Sequence, residues 1–179
     1  REALEQQQPT VINNNTTTTN NTDNSTTNNI IVQNFGSENT AYLTEQVLHA
    51  LLSASPALAL PRLVTRLHFD PDHPENHNLR MRNKKEPYLD VLKDGEWEYR
   101  FKEKVLDDLL DKAFDIMETH YDEGGRKRLT QFRQTLFEGV RTLVYEKDDE
   151  KCRNTLRRIA LAIMNGSRRV FAPRAEKCT

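Results

Sequence analysis

Long apolar runs are missing from this sequence. Nowhere do roughly 18 apolar residues follow one another, so no membrane-crossing helix is expected. Cysteine is scarce. Cys152 and Cys178 are the two thiols, too few for a disulfide framework and not in a metal-binding spacing, which makes a reducing compartment the default. Glycine is scarce as well: the six present form no phosphate-cradling loop. There is also no Gly-x-Ser-x-Gly elbow and no cysteine beside a sequence-near histidine, so the common nucleophile signatures are absent. The opening REALEQQQPT has no apolar stretch behind its charges, which excludes a signal peptide at that point. It reads as the end of a helix stopped by Pro9, cut from a longer chain.

Charge is nearly balanced overall, at −1, but unevenly placed. Residues 41–125 hold 11 basic and 17 acidic side chains, and residues 126–179 hold 14 basic and 6 acidic. The basic third can meet nucleic acid, an acidic partner, or the acidic middle of its own chain. The last is the plainest expectation. Arg153, Arg157 and Arg158 are its candidate nucleic-acid contacts, the first two being four residues apart on one helix face. No aromatic residue interleaves them.

What the sequence does have in excess is asparagine and threonine. Residues 13–29 contain eight Asn, seven Thr, one Asp and one Ser, and no apolar residue. One chain cannot order such a tract by itself. A flexible linker is one reading. The sharper expectation is an oligomeric stalk of identical parallel chains, in which Asn13, Asn14, Asn15, Asn20 and Asn21 pair in amide ladders and Thr favours extended backbone. Ile30, Ile31 and Val32 would then close its end as a shared apolar plug. A trimer is favoured. The Asn-x-Ser/Thr triplets at Asn14, Asn15, Asn20 and Asn24 arise readily in such low-complexity sequence, and would accept glycans only in a secretory setting.

From residue 34 onward the composition is that of a globular head. The expected order is a helix over 45–53 capped by Thr44, and a second over 61–67 with Pro61 in its first turn. Strands follow at 79–82, 87–93 and 96–101, the last two joined by an Asp94–Gly95 hairpin turn. Trp97 and Tyr99 alternate with charged residues, so the aromatic side of this sheet should pack and the other should be wet. Long helices are expected over 102–121, 126–146 and 149–165, with Gly166 just past the last one. The predicted class is α+β, mainly α: antiparallel helices with a small hairpin sheet. The predicted organisation is a stalk over 1–33 and a head over 34–179.

The densest cluster of chemistry-bearing side chains is HFDPDHPENHN, residues 68–78. His68, His73 and His77, with Asp70, Asp72 and Glu75, have the right donor types for a divalent metal. A His-Asn-His-like nuclease would be the specific version, with a histidine activating water. Against it, a hairpin follows where a ligand-bearing helix is needed. Both prolines, with Asn76 and Asn78, suit a rigid loop bonded to its own backbone. The loop reading is preferred and no metal is assigned. Asp107, Asp108 and Asp111 read as the polar side of a helix.

The stretch LHFDPDHPENHNLRMRNKKEPYLDVLKDGEWEYR (67–100), set between the Asn/Thr tract and VLDDLLDKAFDIMETHYDE (105–123), resembles the C-terminal region of uncharacterised proteins from large DNA viruses of algae and protists, phycodnavirus- and mimivirus-like. The combination of HPENHN (73–78) with D-G-x-W (94–97) carries the resemblance, which spans about residues 10–125. It implies an oligomer found in the virion or in the host cytoplasm or nucleus. Its partners would be itself and possible nucleic acid or another viral protein, with no membrane. It supplies no catalytic residue and no cofactor. The resulting expectation is a non-enzymatic binding or assembly module.

Overall fold

The computed structural model describes residues 30–146 and 149–171. Residues 1–29, with the stalk positions Asn13, Asn14, Asn15, Asn20 and Asn21, lie outside them. The described chain is mainly helical and carries one three-stranded antiparallel sheet.

A strap, residues 30–44, enters first. Helix α1 (Glu45–Ala54) begins on Thr44, whose hydroxyl accepts the Val47 N–H at 3.4 Å. Helix α2 (Pro56–Phe69) follows at once, with Pro56 in the first turn, where its missing N–H costs nothing. This corrects the expectation for Pro61, which sits inside the helix rather than at its start. An interior proline costs about 3 kcal/mol. Leu60, Leu63, Val64 and Leu67, all essentially inaccessible, outweigh that, since each contributes roughly 1.5–3 kcal/mol on burial. Helix α2 is the central element, touched by α1 and by the three long helices that follow the sheet.

The sheet is built from β1 (Leu79–Arg80), β2 (Tyr88–Lys93) and β3 (Glu96–Phe101), in that order. Asp94 and Gly95 take φ of 51° and 84°, the left-handed pair that a tight hairpin requires. Asp90 pairs with Tyr99 and Leu92 with Trp97. On the core-facing side, Leu79, Leu89 and Val91 are buried. The aromatic side was expected to pack and does so only in part: Trp97 is half-buried against Phe171, but Tyr99 is 66% exposed and Phe101 67%. The reason lies in β2, whose alternation places Leu89 and Val91 opposite the aromatic row. The aliphatic face joins the main core; on the other face Phe171 meets Trp97 and leaves the Tyr99–Phe101 end open.

Helix α3 (Lys102–Asp122) runs from the sheet to Gly124, at φ 135°, and a short 3-10 turn (Gly125–Arg128). Helix α4 (Gln131–Glu146) therefore starts later than residue 126. Helix α5 (Asp149–Phe171) does not stop before Gly166 but passes through it. A Cβ at Gly166 would lie 2.3 Å from Cγ of the buried Phe69. This glycine is there for close approach of α5 to α2, not for ending a helix.

Candidate functional site

The loop after α2 is a hub of buried polar groups. Asn78 is fully inaccessible, and its amide donates to the Asn34 carbonyl at 3.1 Å and to Glu38 Oε1 at 2.9 Å. Those two acceptors orient the amide, so its oxygen faces His68 and accepts the Nδ1–H at 2.9 Å. His68 is thereby held as the Nδ1–H tautomer, with Nε2 buried and unpartnered among the described residues. Burial pushes its pKa below the ordinary 6.5, so the ring is neutral. For Glu38, burial acts to raise the pKa. The Lys112 ammonium bonded to Oε2 and the Gly36 N–H act against it and hold the carboxyl below its usual value. Asn76 clamps the strap from the other side, accepting the Asn39 N–H at 2.8 Å and donating to its carbonyl at 2.7 Å.

The three histidines do not converge. His68 turns to Asn78, His73 stacks on Tyr42 with centroids 3.4 Å apart and bonds Glu75, and His77 Nε2 donates to the Asp70 carbonyl at 2.9 Å. Among the described residues no three His, Cys, Asp or Glu side chains are grouped to hold a metal ion. The cluster's work is to bind the strap to the body: even Gln33 donates its N–H to the Glu75 carbonyl.

Part of the basic third does meet the acidic middle. Arg141 pairs with Glu118 and Asp122, and Arg128 with Glu45. Arg153 and Arg157 line a groove of about 630 Å³ between α3 and α5. Arg158 is on another side of α5, near Ala57 and Leu143. Of the stalk plug, Val32 is half-buried, while Ile30 and Ile31 are 52% and 81% exposed.

The feature missed in the sequence is the outer face of the sheet. Arg80 and Arg82 both donate through Nε to Asp90 Oδ2, each at 2.7 Å. The Asp90 carboxylate is buried beneath them, whereas the Arg82 side chain is 53% exposed. The Arg80 guanidinium lies 4.5 Å from the centre of the Trp97 ring, and that of Arg82 6.0 Å from Tyr99. Tyr88 touches both Tyr99 and Phe101. Strand β3 is an edge of the sheet. The signal was present in β2: Asp90 shares a face with the aromatic row, and a core-facing aromatic row would have had to take a carboxylate inside with it.

The chain matches no family model, no curated protein and no solved structure.

Proposed function

We propose that the chain is a non-enzymatic, homo-oligomeric binding and assembly module of a large-DNA-virus protein, three copies being joined through the Asn/Thr tract. The observation that carries this reading is the exposure of Ile30 and Ile31 where the chain arrives from the tract. From Gln33 onward the strap is bonded to the body, and Phe35 packs on the core. The two isoleucines therefore stand next to a fixed point of the chain, and the described residues leave half of Ile30 and most of Ile31 uncovered. Burying Ile30, Ile31 and Val32 against copies of themselves would contribute about 5 kcal/mol per chain. Three chains can surround their axis and leave no open edge, which two cannot. Hydrolytic chemistry is not proposed, because the three histidines serve separate partners.

Light scattering on the intact chain at micromolar concentration tests it. The expected mass is three times that of one chain. Ile30→Ser with Ile31→Ser should lower the mass to that of one chain with the helical circular dichroism unchanged. A single-chain mass for the unaltered protein rejects the proposal.

A further inference from the structure

We propose that the outer face of the sheet, together with the groove beside it, binds single-stranded nucleic acid. The proposal is independent of the oligomeric state. Three observations carry it.

The first is the row of rings. Tyr99 and Phe101 are each about two-thirds exposed, and Tyr88 lies between them at 43%. Flat rings standing free on a pleated sheet offer stacking surfaces that any unpaired base can use. The second is charge. Two guanidiniums share the single carboxylate of Asp90, and the outer one, that of Arg82, is 53% exposed and lies beside the Tyr99 ring. Past Phe101 the surface continues into a hollow of about 550 Å³ that also holds Lys85, Lys102 and Lys104. That hollow shares Lys102 with the groove of Lys84, Arg153 and Arg157. Glu103 and Asp107 border both and Asp108 pairs with Lys104, yet basic side chains outnumber acidic ones along the two. Rings and cations therefore run side by side, as bases and phosphates do along one strand.

The third is the position of Phe101. It is the N-cap of α3 and makes no side-chain cap bond. Ser, Thr, Asp or Asn would serve the helix better there. A bulky ring that does not cap and meets its own chain at another open-face ring, Tyr88, is a local rule broken in favour of something outside the chain. A second copy pairing through β3 is the competing occupant.

Fluorescence anisotropy of the intact chain with a labelled oligothymidylate of about 15 nucleotides tests the proposal. Binding is expected at about 50 mM salt and should fall by tenfold or more by about 200 mM. A duplex of equal length, whose bases are already stacked, should bind about tenfold more weakly. Tyr99→Thr and Phe101→Thr should each weaken single-strand binding about tenfold. Lys85→Gln should flatten the salt dependence by about one charge. No binding at low salt overturns the proposal, as does unchanged binding by both aromatic variants. It is equally overturned if those variants leave oligonucleotide binding intact and instead reduce the solution mass, which would make the face an interface between copies. Failure of the trimer reading is seen separately, in the mass of the unaltered chain.

Discussion

Two regions of this molecule sort their residues in opposite ways. In the hub around Asn78, histidine, glutamate and two asparagines are inside, each turned to a partner. On the outer sheet face, tyrosine and phenylalanine are outside. Burying polar groups costs free energy unless they are bonded, and exposing rings forgoes burial energy. The hub recovers its cost within the chain, because its bonds hold the strap to α2 and the sheet. Tyr99 and Phe101 recover little within the described chain: each meets Tyr88, itself on the open face, and Tyr99 also meets the Arg82 guanidinium. The contrast separates residues that serve the fold from residues that are available to serve a partner.

Breaking the hub should have the largest effect. Asn78→Ala removes three side-chain hydrogen bonds and leaves His68 Nδ1 without its partner in the interior. About 3 kcal/mol of stability should be lost, read by urea unfolding. A loss below about 1 kcal/mol would mean that water replaces the amide and that the hub is not a fastening. A chelator should leave the melting temperature unchanged, since the loop is held by amides and carbonyls.

The wall behind the hub comes next. Phe69 follows His68 in α2, and its backbone carbonyl accepts from Arg169 of α5 at 2.8 Å. Gly166→Ala places a methyl against the Phe69 ring and should cost roughly 2–3 kcal/mol by overpacking. An unchanged melting temperature would show that α5 can slide on α2, and the hub would then rest on a softer support than its burial suggests.

Much of this was legible in the sequence where the governing physics is local. The apolar stripe of α3, the Thr44 cap and the Asp94–Gly95 turn each follow from residues a few positions apart. Pro61 and Gly166 were misread because their roles are set from a distance. Pro61 is carried by packing from four helices, and Gly166 is required by a ring nearly a hundred positions away. The hub was half visible: its loop chemistry could be read from Pro74, Asn76 and Asn78, but nothing local announces that Glu38 crosses over to meet His68. The aromatic row was seen and placed on the wrong side, since alternation says that a strand has two faces and not which one is covered.

Acid should sharpen the contrast between the regions. His68 and His120 are held below 6.5 by burial, and Glu38 below 4.5 despite it. In each case the unfolded chain binds the proton more readily, so stability is present above the unfolded value and lost as pH falls. Melting temperature should begin to drop as pH passes below about 6.5 and drop further below about 4.5. His68→Gln should flatten the upper part of that profile. An unchanged slope in that variant would assign the effect to His120.

The smallest expected effect is the most telling, because its sign is reversed. Phe101 caps α3 with a side chain that cannot accept a hydrogen bond. Its φ of −55° and ψ of 126° are non-helical values of the kind an N-cap takes, so threonine can enter without moving the backbone. Threonine also suits the end of a strand. Its hydroxyl would reach one of the first N–H groups of α3, which have no partner within the helix. Against this stands the loss of one ring contact with Tyr88, itself on the open face. The cap should win, and Phe101→Thr should raise stability by about 0.5–1 kcal/mol. A gain in stability together with weaker oligonucleotide binding would show a side chain kept for its partner at the expense of its own helix. A loss above about 1 kcal/mol would show that the ring serves the fold after all, and the opposition between the two regions would lose its clearest member.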